Sequence, residues 1–240
     1  MGRRSVNEVW LIEGSDPAPI LGEIDNLARK AHVPVRMVSP RRLESMQRTE
    51  TPQGVVAFAE PLASADLETL VTGRGEKADG EKTPPETASA FLVVVDGVTD
   101  PHNLGAIFRA AECAGATGVV LPRHRAVHVT AAVAKAAAGA IEHLPVALVP
   151  GIPSALQQLA SLGVRSIGLD ERGDTSLFEL DLRGEPVVLV LGAEGRGLSP
   201  LSRKRCDLLA RIPLFGELPS LNVATATALA CFEIARIRRR

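Results

Sequence analysis

The feature that most restricts the fold is the order of elements from Phe91 onward, where short, uninterrupted apolar runs alternate with helical stretches. Runs such as Phe91–Val95 and Val187–Leu191 carry no polar residue on either side of the pleat, which suits strands buried on both faces. Further strands are expected at residues 118–121, 146–149, 166–169 and 209–212, and helices at 104–114, 130–140, 152–162 and 223–237. This alternation predicts an α/β domain with a parallel sheet wrapped by helices. Ligands of such sheets sit outside the carboxyl ends of the strands, so the loops that follow the strands are where chemistry is expected.

Residues 8–60 repeat the alternation on a smaller scale, with strands expected at 9–12, 35–38 and 54–59 and helices at 18–31 and 40–46. Residues 72–89 change character. Gly, Lys, Glu, Asp, Thr and Pro dominate, and Pro84-Pro85 fits neither a helix interior nor a central strand. The expected layout is therefore a small α/β domain over 1–71, a flexible linker over 72–89 and a larger parallel-sheet α/β domain over 90–240, which suits a 240-residue chain.

Net charge excludes one class of function. At −1 the chain cannot coat nucleic acid through its overall field, so any such binding must come from local patches. One patch holds Arg29, Lys30, Arg36, Arg41, Arg42 and Arg48 against the single acid Glu44; the other is the tail Arg236, Arg238, Arg239 and Arg240. Both read equally as solvated surface. No apolar run reaches membrane-spanning length and no signal peptide is evident, which predicts a soluble, cytoplasmic protein. Cys113, Cys206 and Cys231 are too scattered for a disulfide framework or a metal motif and are expected as reduced, mostly buried thiols. His124 and His128 lack an acidic or Cys partner at metal-site spacing, so no metal is expected. Met37 and Met46 read as packing residues.

Three segments carry candidate chemistry. The first, Asp96-Gly-Val-Thr-Asp-Pro-His-Asn-Leu-Gly-Ala-Ile-Phe-Arg-Ala-Ala-Glu112, is a strand end, a polar turn and a helix. Asn103 suits the N-cap of a helix opening at Leu104. Arg109 and Glu112 lie three apart on a polar side of that helix, as a ligand-facing cation with its neighbour or as a surface ion pair. The second, Val-Val-Leu-Val-Leu-Gly-Ala-Glu-Gly-Arg-Gly-Leu-Ser-Pro200, runs a buried strand into Gly192, Gly195 and Gly197. Those glycines suit either close approach to a ligand or an ordinary tight turn. Their G-x-x-G-x-G order is not the dinucleotide fingerprint, which removes a nucleotide-dependent oxidoreductase. The third runs from Arg211 to Leu229, where Pro213, Gly216 and Pro219 impose an irregular loop before an Ala-rich helix that Ser220 or Asn222 can cap. Such a terminus also suits an anionic group.

In this order and spacing, the three segments resemble the signature motifs of the SpoU (TrmH-like) branch of the SPOUT RNA 2′-O-ribose methyltransferases. The resemblance runs from about Phe91 to the C-terminus. It is closest to bacterial enzymes that methylate a guanosine ribose of 23S rRNA, which the segment Asp-Gly-Val-Thr-Asp-Pro-His-Asn-Leu-Gly matches almost without gaps. The N-terminal part resembles, more loosely, the RNA substrate-binding domain of those enzymes.

The resemblance implies a deep trefoil knot in the C-terminal domain, S-adenosylmethionine as cofactor and a homodimer whose sites are completed across the interface. It implies cofactor contacts from Gly192, Glu194, Gly197, Ile212, Leu214, Leu221 and Asn222. It also implies Arg109 at the target ribose, supported by Asn103 and Glu112, with Glu194, Ser220 and Asn222 ordering RNA and cofactor. His102 and the basic residues from Arg29 to Arg48 would meet RNA. The family credits the arginine with helping to deprotonate the ribose hydroxyl. A guanidinium, however, keeps its proton in proteins, so Arg109 is expected to bind the adjoining phosphate and stabilise developing alkoxide charge, with the proton leaving to another group or water. A tRNA ribose methyltransferase and a catalytically inactive rRNA-binding factor of the same fold are the competing readings.

Overall fold

A computed structural model describes residues 4–14, 19–46, 53–73, 90–124, 129–182 and 184–238. Arg48, His128, Arg239, Arg240 and most of the expected linker lie outside the described residues. The chain forms two compact units that divide between Leu62 and Ala63.

In the first unit, β1 (Val6–Ile12) pairs parallel with β2 (Val35–Val38) and antiparallel with β3 (Val55–Ala59). The period-two geometry of a strand separates two small cores. Val9 and Leu11 pack with Leu21 and Ala28 of α1 (Pro19–Lys30), while Trp10 packs on the opposite face with Val38 and with Leu43 of α2 (Pro40–Met46). Trp10 meets Phe58 edge-on at 5.0 Å, and the Arg42 guanidinium lies over its ring at 5.2 Å. Met37 and Met46 are not packing residues here, being 55% and 44% exposed. Met37 lies on β2, an edge of the three-stranded sheet, and Met46 is the last residue of α2.

The second unit begins ahead of the expected linker. Ser64 bridges to Val146, and a short helix, α3 (Leu67–Thr72), buries Leu67 and Leu70 among Leu92, Val120 and Leu156. Asp66 caps α3 and Gly73 ends it in the left-handed region. The sheet contains β4 (Phe91–Val95), β5 (Gly118–Pro122), β6 (Val146–Val149), β7 (Arg165–Leu169), β8 (Thr175–Ser176), β9 (Val187–Leu191) and β10 (Leu208–Arg211). It is parallel throughout, in the order β6-β5-β4-β9-β7-β10-β8. Helices α4 (Pro101–Cys113), α5 (Ala131–Ala136), α6 (Ile152–Ser161), α7 (Pro200–Arg205) and α8 (Val223–Arg238) complete the unit. None of the described helices is long and apolar enough to cross a membrane.

One feature of this order sets up the site. Strand β9 lies between β4 and β7, pairing Phe91 with Val187 through Val95 with Leu191. The loop after β9 therefore emerges beside the turn after β4, although some ninety residues of chain separate them.

Three local expectations need correction. Asp100, not Asn103, is the N-cap of α4; its side chain accepts from the His102 N–H at 2.9 Å. Pro101 opens the helix because the first helical position has no use for an N–H, and Asn103 falls inside the first turn. The expected helix at 130–140 stops at Ala136, since Ala138 and Gly139 both have positive φ before a 3₁₀ turn at Ala140–Glu142. Of the three thiols expected to be mostly buried, Cys231 is buried, Cys206 is partly exposed and Cys113 is exposed. Burial pushes Cys206 and Cys231 up to about 12, with Asp207 adding to the effect at Cys206.

Candidate active site

Each segment reaches the site by its own local logic. After β4, Gly97 takes a φ of +86°, turning the chain toward the Asp100 cap of α4. After β9, Ala193 and Gly197 exchange backbone hydrogen bonds of 3.0 and 2.8 Å, closing a tight loop with Glu194 near its tip. Gly195 and Gly197 both sit at positive φ. After β10, Pro213 and Pro219 hold residues 212–221 out of regular structure until Asn222 caps α8, its Oδ1 accepting from the N–H groups of Ala224 and Thr225 at 2.8 and 3.3 Å. Of the two expected caps, Asn222 is the one used.

The three segments meet at Asn103. Its Nδ2 donates to Asp100 Oδ2 at 3.1 Å and, in a short contact, to Glu194 Oε1; its Oδ1 accepts from Asn222 Nδ2 at 3.1 Å. The orientation of both amides follows from the chain itself. Backbone N–H groups claim the Asn222 oxygen, so its nitrogen donates to the Asn103 oxygen, and the Asn103 nitrogen is left for two carboxylates. A residue intended in the sequence as a helix cap is instead the junction of all three motifs.

Beside this junction lies a cavity of about 560 Å³. Its walls come from the carboxyl ends of β7 and β9, the glycine loop, the segment after β10 and the start of α8. All the residues expected at the cofactor line it: Gly192, Glu194, Gly197, Ile212, Leu214, Leu221 and Asn222, together with Ser220. Gly192 has no room for a side chain, because a Cβ there would stand 2.1 Å from the Gly197 carbonyl carbon. Leu191, Leu198, Ile212 and Leu221 give one region an apolar surface, and Asp170, Glu171, Arg172 and Arg203 give another a charged one. Sequence reasoning missed that charged wall. Asp170 is the first residue after a parallel strand, and its position there was the available signal.

Arg109 and Glu112 are placed differently. Neither lines the cavity. Arg109 is exposed on the side of α4 that carries His102, Ala106 and Cys113, and it makes no hydrogen bond or ion pair with a described residue. The expected surface pair with Glu112 is thus not formed. In the first unit, Arg29 is held by Asp25 at 2.9 Å and Arg36 is paired with Glu8, while Lys30, Arg41 and Arg42 remain exposed. In the tail, Arg236 binds Glu233, and Arg238 donates to the Ala90 carbonyl and covers the Phe91 ring. Among the described residues, no group of His, Cys, Asp and Glu is arranged to hold a metal ion.

The chain is similar to known proteins in sequence and in fold. Residues 90–232 match the SpoU rRNA methylase family, and residues 1–65 match the family described as RNA 2′-O ribose methyltransferase substrate binding. A 23S rRNA (guanosine-2′-O-)-methyltransferase RlmB from Xanthomonas campestris is 41% identical over 237 residues, covering 98% of this chain and 90% of its own. The RlmB of Shewanella oneidensis is 37% identical, with 97% and 89% covered. Among solved structures, an AdoMet-bound rRNA methyltransferase from Sinorhizobium meliloti superposes with a TM-score of 0.77 at 25% identity, over 98% of this chain and 81% of that one. The SpoU methyltransferase AviRb from Streptomyces viridochromogenes does so with a TM-score of 0.77 at 26% identity, over 99% and 84%. With its family match spanning most of the chain and relatives this similar along nearly its whole length, the protein belongs to the SpoU rRNA methylase family.

Proposed function

We propose that this chain transfers a methyl group from S-adenosylmethionine to a ribose 2′-hydroxyl of structured RNA, with a guanosine of 23S rRNA as the favoured target. The observation that carries the proposal is the convergence of Asp100, Asn103, Glu194 and Asn222 beside a cavity of suitable size and chemistry. The volume lies within the range of small-molecule sites, roughly 300–1,000 Å³. Its apolar residues suit an adenine, the Gly192 backbone allows close approach, and its charged residues suit the polar groups of the cofactor. When bound, the cofactor supplies a methyl group activated on a sulfonium.

The protein's own part is to position the ribose oxygen and stabilise charge there. Glu194 and Asn222, locked through Asn103, fix part of the cavity's lining. Arg109 binds the phosphate next to the target and stabilises alkoxide character as the hydroxyl proton leaves. Replacing it with Lys keeps the charge and removes the planar fork. Arg109→Lys is expected to slow single-turnover methylation at least about tenfold, an effect of the size expected for a lost oriented charge contact. Full activity in that variant would remove the proposed role. Mapping ribose methylation in cells with and without the gene tests the substrate, and a site in tRNA would overturn the 23S assignment.

We further propose that the active form is a homodimer. Arg109 does not line its own chain's cavity, so a site that uses it is naturally completed by a second copy. Helix α8 packs against α4 and exposes Leu229 and Phe232, a large apolar surface to leave in water. The loop before α8 exposes Phe215 by 96% and Leu218 by 78%. Sedimentation at micromolar concentration should show a dimer; a monomer that still methylates would refute this. A threaded, knotted path around β9 and β10 and a cytoplasmic location belong to the same reading.

A further inference from the structure

We infer that Asp170 accepts hydrogen bonds from the vicinal diol of a nucleoside ribose bound in the cavity; this rests on the cofactor reading above and assigns a specific contact within it. Asp170 follows β7 directly and lines the cavity, with 9% of its side chain exposed. Its position is fixed at every level. The backbone N–H donates to the Ala210 carbonyl at 2.9 Å, continuing the pairing with β10, and Oδ1 accepts from the Arg172 N–H at 2.8 Å.

The turn that carries it is clamped from the next strand. Arg211 Nη1 donates to the carbonyls of Gly173 and Asp174, both at 2.7 Å. Gly173 presses so closely on β10 that a Cβ would stand 2.7 Å from the Leu209 carbonyl oxygen. A carboxylate held this way is preorganised, and lost mobility is not charged against the ligand.

Two features select a diol over other polar groups. A carboxylate has about four lone-pair positions, and the Arg172 N–H occupies one of them. The charge of Asp170 is already paired, since Arg203 Nη1 lies 3.4 Å from Oδ2. An ammonium group would have to approach beside that guanidinium and be repelled, whereas neutral hydroxyl donors meet only the acceptor. An acid after a parallel strand binding ribose hydroxyls is a recurrent solution in α/β nucleotide sites.

The test is calorimetry on the full chain with S-adenosylhomocysteine, its 2′-deoxy and 3′-deoxy analogues, and an analogue lacking the α-amino group. Wild type should lose about tenfold in affinity or more when a ribose hydroxyl is removed, the size of a hydrogen bond to a charged group. Asp170→Ala should bind the parent about tenfold more weakly and no longer distinguish the deoxy analogues. Asp170→Asn, which keeps an acceptor for the Arg172 N–H, serves if the Ala variant unfolds, and should show the same reduced discrimination. Undiminished discrimination in a folded variant, or coupling to the amino group instead, overturns the assignment while leaving the cofactor site standing. Failure of wild type to bind the parent overturns both.

Discussion

Asn103→Asp should lower single-turnover methyl transfer by about a thousandfold, more than Asn103→Ala, whose loss should be nearer a hundredfold. The order of the two is the informative part. In the native arrangement Asn103 Nδ2 stands between the carboxylates of Asp100 and Glu194. Alanine leaves those acceptors to water and loosens three motifs at once. Aspartate does more harm, because it places a third carboxylate where a donor is required, and like charges at hydrogen-bond distance repel. Its remaining bond to Asn222 does not compensate. Rapid-quench assays with saturating cofactor, together with a melting curve for each variant, measure the effect separately from unfolding. An aspartate variant more active than the alanine one would show that the junction does not work through this donor.

Gly192→Ala should cost more than about 3 kcal/mol of stability and weaken cofactor binding by more than a hundredfold. The new methyl would stand 2.1 Å from the Gly197 carbonyl carbon and 2.2 Å from the Leu198 nitrogen. Both are backbone atoms, so no side chain can swing aside. Relief requires opening the Ala193–Gly197 pair, and the residues that open are the ones lining the cavity. Gly195→Ala is the control. Nothing lies within 4 Å of its added carbon, and its φ of +71° should cost only about 1–2 kcal/mol. Urea unfolding and calorimetry on both variants check the contrast, and similar losses at the two positions would contradict it.

These two residues also mark how far the sequence could be read. Buried strands such as Phe91–Val95 and Val187–Leu191 were legible because a parallel sheet covered on both faces needs continuous apolar runs. The two-faced β1 was legible for a related reason. Short elements were not. Helices α3 and α7 have six residues each, too few for a helical period to stand out, and β8 has two. Asn103 was misread as a cap because cap preferences are shared by Asp and Asn, and the sequence offers both within four residues.

What local patterns could not supply is adjacency. The placement of β9 between β4 and β7 is a long-range pairing, and it is what brings Glu194 to Asn103. The family resemblance named those residues as partners without saying how they touch. It was silent on Asp170, which stands directly after β7, and on Arg203 of α7, which pairs with it across the fold. On Arg29 and Arg36 the sequence overstated the free charge: Asp25 stands one turn before Arg29 on α1, a local pair outside the run that was counted, whereas Glu8 meets Arg36 only through the pairing of β1 with β2.

The most direct test of the whole account is titration of the purified, folded chain with S-adenosylmethionine and S-adenosylhomocysteine. Saturable uptake of both at one site per chain, weakened more than about a hundredfold by Gly192→Ala, is the predicted result. A native protein that takes up neither would contradict it.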